Sequence, residues 1–297
     1  MKIILTGSTG FIGRNLLSFL VGSGHQLENV SLRNAWKLPM EGDALIHLAG
    51  KAHDIAESAL DEEYYRVNTD LTTKLFDDFL GTNIRDFFYF SSVKAAADSV
   101  DDLLIEDVIP KPDTVYGKSK LKSEQYLLSQ NLPFGKRLFI IRPCMIHGPG
   151  NKGNLNLLYK VVEKGIPWPL ASFVNKRSFL SIDNLNFLLL TMLQNDKILS
   201  GIYNFADDQP ISTNELVRII AKTSRKKERL LKIPTNLITT VAKVGDILKL
   251  PLNSERLKKL TESYVVSNAK IKAELSIEHL PFSAEEGLIK TIKSFQK

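Results

Sequence analysis

The sequence predicts an α/β chain, a doubly wound parallel sheet with helices on both faces and a smaller lobe toward the C-terminal end. Three observations carry that reading. Residues 2–13 pass from a β-branched apolar run through a glycine-rich turn into a helical pattern. Apolar runs at 44–50, 86–92 and 138–143 then alternate with stretches whose apolar residues recur at helical spacing. Finally, turn formers crowd the segment His147-Gly148-Pro149-Gly150-Asn151-Lys152-Gly153-Asn154, where the first unit is expected to end.

Lys2 to Thr6 reads as a strand and Arg14 to Leu20 as the body of the helix after it. Gly7 suits backbone angles other residues adopt at a cost, Gly10 lets the main chain approach a pyrophosphate, and Gly13 lets helix and strand pack closely. The unpaired N–H groups of the first helical turn then face the phosphates. An ordinary tight βα turn can carry the same three glycines, so the assignment needs support from further along the chain.

At 297 residues the chain can bury a large core. Its formal charge is +6 and its pI about 9.1, yet basic residues alternate with acidic ones, which places a solvated surface ahead of nucleic-acid binding. The single cysteine, Cys144, excludes an internal disulfide and a cysteine-rich metal cluster, and it reads as a small packing residue. No metal site is expected. The chain opens directly on a strand, leaving no room for a signal peptide, and its longest apolar run, Phe187 to Leu193, is too short for a bilayer. A cytoplasmic protein without membrane insertion is the expectation.

The second strand falls near Leu27 to Leu32 and is followed by Arg33. An arginine there accommodates the extra phosphate of NADP, where an acidic residue would bind the ribose of NAD; a plain surface arginine is the alternative. The next strand, Ala44 to Gly50, follows so soon that the unit between looks abbreviated. Asp43 before it and Ala49 and Gly50 after it stand where adenine and pyrophosphate are expected. His47 and His53 have no supporting ligand set and read as structural.

Tyr65 to Leu80 has helical spacing with Asn68 in its first turns, and Asp86 to Ser92 is a buried strand delivering Ser91 and Ser92 at its C-terminal end. Asp113 to Ser129 is a helix carrying Tyr116 and Lys120 one turn apart, on one face. Beyond the strand ending at Arg142 and Pro143, Ser178 to Asn195 and Gly201 to Ala206 are expected to return to the sheet as helix and strand. The division is therefore 1–146 with 178–206 for the dinucleotide-binding unit, and 147–177 with 207–297 for the lobe. Ser212 to Glu215 has a capping-box pattern, and Pro234 to Lys249 is an amphipathic helix whose stripe is expected in the core.

Ser92, Tyr116 and Lys120 form the chemical constellation. A phenol ionises near pH 10 in water, and an adjacent ammonium or an oxidised nicotinamide ring favours its phenolate. Ser92 can hydrogen-bond a substrate oxygen while a hydride passes between substrate carbon and coenzyme.

The sequence resembles the extended branch of the short-chain dehydrogenase/reductase family, and within it the nucleotide-sugar epimerases and reductases. The likeness rests on Thr6 to Gly13, Ile46-His47-Leu48-Ala49, Phe90-Ser91-Ser92, Tyr116-Gly117-Lys118-Ser119-Lys120 with Glu124, Arg142-Pro143 through Gly148-Pro149, and Arg177 to Asn184. It implies a Rossmann-type domain holding NAD or NADP through Gly7, Thr9, Gly10, Phe11, Ile12 and Gly13, then Leu48, Ala49, Gly50, Asn68, Tyr116, Lys120, Pro143 and Met145. It also implies a lobe gripping a nucleotide-sugar substrate such as a UDP-sugar, with Asn154, Leu155 and Arg177 at the diphosphate, Pro169 near the base and Ser92 at the sugar. Family members commonly dimerise through the helices matching Tyr65–Leu80 and Asp113–Ser129, as a four-helix bundle.

Two departures bear on function. The family's C-terminal RPGD-type contact is absent, with Leu257 to Leu260 in its place. Val93 and Lys94 stand where 4,6-dehydratases carry Asp-Glu, which argues against dehydration. The pattern looks most like enzymes of surface-polysaccharide pathways acting at C4 of the sugar, as epimerase or 4-keto reductase. A non-catalytic dinucleotide-binding sensor or scaffold is the rival reading.

Overall fold

The computed structural model describes residues 1–51, 60–151, 153–249 and 253–296. His53 and Lys152 lie outside them. The chain starts β1 (Lys2–Thr6), α1 (Phe11–Leu20), β2 (Gln26–Val30), β3 (Ala44–His47), α2 (Asp61–Tyr64), a π-helical segment (Tyr65–Asp70) and α3 (Leu71–Leu80). It continues β4 (Asp86–Phe90), a 3₁₀ turn (Val93–Ala95), β5 (Leu103–Leu104), α4 (Val115–Ser129), β6 (Arg137–Pro143), β7 (Met145–His147), α5 (Asn154–Glu163), β8 (Phe179–Ser181), α6 (Ile182–Gln194) and β9 (Gly201–Phe205). The remainder is α7 (Thr213–Thr223), α8 (Thr235–Leu248), α9 (Ser254–Thr261), β10 (Val265–Val266), α10 (Ala269–Leu275) and α11 (Ala284–Phe295).

Six strands form one parallel sheet in the order β2-β1-β3-β4-β6-β9. The doubly wound α/β architecture expected from the sequence is present, including the return of β9 beside β6. Residues 31–43 contain neither helix nor strand, so the abbreviated unit is real: β2 is the sheet's edge, and the chain passes directly from it to β3 on the far side of β1. That change of direction opens a crevice at the C-terminal ends of β1 and β3.

Strands buried on both faces must be apolar throughout, and Ile3–Leu5, Ala44–Ile46, Phe87–Phe90 and Leu138–Ile141 meet that requirement. One face packs α1 and α6 through Leu16, Leu20, Leu185 and Leu189; the other packs α3 and α4 through Leu75, Phe76, Phe79 and Leu127. A separate core joins α5, α7, α8 and α11 in the lobe through Tyr159, Val217, Ile220, Ile238 and Leu288. The Ser212 capping box is formed, its hydroxyl accepting from Glu215 N while the Glu215 carboxylate accepts from Ser212 N.

His47 is structural, as expected: buried, with its ring nitrogens bonded to the hydroxyls of Thr6 at 2.7 Å and Thr72 at 2.9 Å. Burial, with the Lys120 charge, pushes the imidazole down to about 3. Asp43 corrects the reading from sequence. Its carboxylate accepts from Lys2 N at 2.6 Å, at the entry edge of the sheet, opposite to the edge where the crevice opens. It ties two strand starts together and does not reach a ligand at their ends. Among the described residues no helix is long and apolar enough to cross a membrane, and no cluster of metal-ligating side chains occurs.

Candidate active site

The glycine turn sits at the crevice, and its geometry explains two of its glycines. Gly7 has φ +71°, and a Cβ there would lie 2.5 Å from Ala49 N. At Gly13 a Cβ would lie 2.4 Å from Gly7 O, so only glycine lets α1 approach β1 this closely. Gly10 caps α1 without any side-chain hydrogen bond to the first turn, which leaves the N-terminal N–H groups directed at the crevice. A pyrophosphate fits such a cradle.

Next to the turn lies a cavity of about 220 Å³. Ile12, Leu48 and Gly50 line one side; Ser92, Tyr116 and Lys120 line the other; Pro143, Cys144 and Ile146 close it. The cavity thus brings together the three residues of the chemical constellation with several of those expected at the coenzyme.

Local structure explains how they converge. Asp98 accepts from Asp113 N at 2.7 Å and Thr114 N at 2.9 Å, while the Thr114 hydroxyl caps α4 by accepting from Gly117 N. Gly117 lets this first turn lie on the 3₁₀ turn after β4, since a Cβ there would be 2.4 Å from Lys94 O. Ser92 caps that 3₁₀ turn, accepting from Lys94 N. The end of β4 is thereby pressed against Tyr116.

Tyr116 is half-buried, with the Tyr64 ring edge-on at 6.2 Å. Burial pushes its phenol up, and a hydrogen bond from Ser92 opposes the shift. Lys120 is buried; its ammonium donates to Phe90 O at 2.8 Å and sits 4.9 Å from the Tyr89 ring. Burial lowers it to about 8, against the opposing charge of Glu124. Glu124, one turn further along α4, is itself buried between Ser91 and Arg142, whose guanidinium reaches both carboxylate oxygens. A buried arginine on a central strand demands an acid, so Arg142 was a sequence signal for this network.

Other expected contacts stand differently. Asn68, in the π-helical segment, accepts from Lys51 N at 2.7 Å and donates to Ser119 Oγ at 3.0 Å. Its carboxamide holds the Gly50 loop against α4; a Cβ on Gly50 would lie 3.1 Å from Asn68 Oδ1 and 3.2 Å from Lys120 Nζ. Met145 corrects the sequence reading: strand alternation turns its side chain to the lobe core, and Cys144 and Ile146 face the cavity instead. Thr9 is exposed beside Gly10, Ala49 donates its N–H to Thr6 Oγ1, and Phe11 lies against Gly148. Arg33 is exposed just beyond the end of β2. Burial and the Asp207 charge push the Cys144 thiol up, which suits a packing role and not a nucleophile.

In the lobe, Asn154 is exposed at the start of α5, while the Leu155 side chain is buried in the lobe core, leaving only its backbone to meet a ligand. Pro169 is exposed between the buried Trp168 and Leu170. The Arg177 guanidinium donates to Lys259 O at 2.6 Å, which holds it against α9. Lys94, which stands where a dehydratase carries an acidic residue, has partners that the sequence does not reveal. Its ammonium donates to Asp98 O at 2.7 Å and lies 4.3 Å from the Tyr264 ring. Burial pushes it down, the charges of Asp98 and Glu262 oppose the shift, and the weaker contributions of Arg177 and Lys259 add to it.

A parallel sheet reversing at its first strand, with serine, tyrosine and lysine around a cavity at the reversal, is the arrangement of a dinucleotide-binding protein of the extended short-chain dehydrogenase/reductase type. Residues 3–206 match the profile of the NAD dependent epimerase/dehydratase family, and the chain belongs to that family. It is 30% identical over 258 residues to UDP-glucose 4-epimerase of Vibrio cholerae, covering 78% of this chain and 79% of that protein. UDP-N-acetylglucosamine 4-epimerase of Bacillus cereus superposes with a TM-score of 0.77 at 21% identity over the full length of both chains. The NAD complex of Thermus thermophilus UDP-glucose 4-epimerase gives 0.73 at 18% identity over 100% of this chain and 99% of the other. At those identities the two superpositions speak to the fold.

Proposed function

We propose that this protein acts at C4 of a sugar carried on a nucleoside diphosphate, as a 4-epimerase of UDP-hexoses. The observation that carries the reading is the shared cavity in which Ser92, Tyr116 and Lys120 stand beside the glycine turn. A bound NAD or NADP supplies the hydride acceptor and donor. Ser92 hydrogen-bonds the C4 oxygen, and Tyr116 Oη gives or takes the proton of that oxygen. With its phenol pushed up by burial, Tyr116 is protonated at neutral pH and ready as the acid toward a 4-keto sugar. In the opposite direction the phenol must ionise, and Lys120, one turn along the same helix face, is the cation that favours its phenolate. Arg177 supplies positive charge for the diphosphate, with Asn154 at the start of α5 as a polar contact. The V. cholerae relative supports a UDP-hexose as substrate.

The test is conversion of UDP-glucose to UDP-galactose by the purified protein, with nicotinamide absorbance followed in parallel. Turnover without net change in absorbance fits the epimerase; stoichiometric consumption of NADPH with a 4-keto sugar makes it a 4-keto reductase. Tyr116→Phe is expected to lower turnover roughly 10²- to 10⁴-fold. Coenzyme binding without turnover of any nucleotide sugar would leave a binding module in place of an enzyme.

A further inference from the structure

Helix α8 is apolar over more of its circumference than the lobe covers. Ile238, Ala242 and Gly245 are buried toward the lobe core, as the sequence led us to expect of the whole stripe. Leu237, Val241, Val244 and Leu248, at i, i+4, i+7 and i+11, line up on the outward side instead. There Leu237 is 57% exposed, Leu248 63% and the neighbouring Ile247 80%.

The charge beside this row is equally uneven. Residues 222–249 hold eight basic and two acidic side chains, a net +6 that equals the excess of the whole chain, so all other residues sum to zero. Arg225, Lys226, Lys227, Lys232, Lys243 and Lys249 are exposed, and among the described residues none of them forms an ion pair. Here the interleaving of charge gives way to a basic run, as it gives way to an acidic one at residues 98–107.

An aliphatic row on a helix that directly follows a run of exposed cations in the chain matches the boundary between acyl chains and anionic headgroups. A nucleic acid would use the cations but leave the aliphatic row in water, and residues 224–249 contain no aromatic side chain on which bases could stack. A second copy meeting this one through the same face would bring like charges together. We propose that α8, with the basic connection before it, docks the protein on an anionic phospholipid bilayer, the helix lying in the plane of the interface. This proposal stands apart from the C4 chemistry.

The full-length protein, pelleted with phosphatidylcholine vesicles and with vesicles also containing phosphatidylglycerol, tests it. Binding to the anionic vesicles is expected to exceed that to phosphatidylcholine alone by roughly tenfold or more and to weaken with added salt. Val244→Asp with Leu248→Asp, and separately Lys226→Glu with Lys227→Glu, should each lower the partition roughly tenfold at an unchanged unfolding midpoint. If the aspartates disturb the lobe, Ile247→Ser with Leu248→Ser takes their place. The proposal is overturned if anionic vesicles pellet no protein, or if pelleting ignores the α8 substitutions. It is equally overturned if light scattering finds a dimer that Val244→Asp with Leu248→Asp disperses, or if a single-stranded oligonucleotide binds through Lys226 and Lys227 while vesicles do not.

Discussion

The Lys120 ammonium donates a 2.8 Å hydrogen bond to the carbonyl oxygen of Phe90, one residue before the strand-end serines. The bond ties α4 to the end of β4, so the lysine both carries charge into the cavity and fixes the spacing between Tyr116 and Ser92.

Lys120→Met is expected to reduce turnover at least roughly 100-fold. Its effect on stability depends on pH. Burial sets the folded-state value near 8, below the ordinary 10.5, so between these limits the unfolded chain binds more protons and the wild type gains stability as pH rises. The gain between pH 8 and 9 is about 1 kcal/mol. Urea unfolding of wild type and Lys120→Met at both pH values checks this: the variant should lose the lysine's share of the rise.

Glu124 and Arg142 are each 1% exposed and pair at 2.5 Å. Arg142→Met strands a buried carboxylate and is expected to cost about 3–5 kcal/mol. Glu124→Leu combined with Arg142→Met should recover much of that loss. Equal destabilisation of the single and double variants in chemical denaturation would show that the pair is not the unit.

Gly13→Ala places a Cβ 2.4 Å from Gly7 O and 2.7 Å from Ser8 Cα, both main chain. The helix must move away from the turn, at about 1–3 kcal/mol, and coenzyme affinity falls with it. Gly81→Ala, whose Cβ would meet only Asp78 O at 3.6 Å, serves as the control and should stay within about 0.5 kcal/mol of wild type. Thermal unfolding and NAD titration by calorimetry distinguish the two.

His47 predicts an acid limb. Its folded-state value near 3 lies below the ordinary 6.5, so as pH falls through this window the unfolded chain takes up a proton that the folded chain refuses. About 2 kcal/mol of stability is lost from this residue between pH 6.5 and 5. In His47→Gln that part of the slope should vanish, as read from urea midpoints at the two pH values.

Much of the fold was legible because its signals are local. The short aromatic run Phe87–Phe90, closed by Ser91 and Ser92, reads as a strand covered on both faces, and Gly7 and Gly13 sit where a Cβ would strike main chain. The grouping of Ser92, Tyr116 and Lys120 was legible from strand end and helix face. Asp43 was misread because the sequence does not distinguish the entry of a strand from its exit without the register that sets Lys2 beside it. Met145 was misread through strand alternation, which one residue of offset inverts. The outward half of the α8 stripe was hidden for another reason: periodicity reports that a face is apolar, not whether a neighbour covers it.

The concentration of the whole excess of +6 between residues 222 and 249 has a consequence for motion in solution. This basic flank stands against acidic runs elsewhere in the chain, such as residues 98–107 with five carboxylates and no base. Near a negative plane the basic flank is attracted before first contact, which favours encounters with α8 leading.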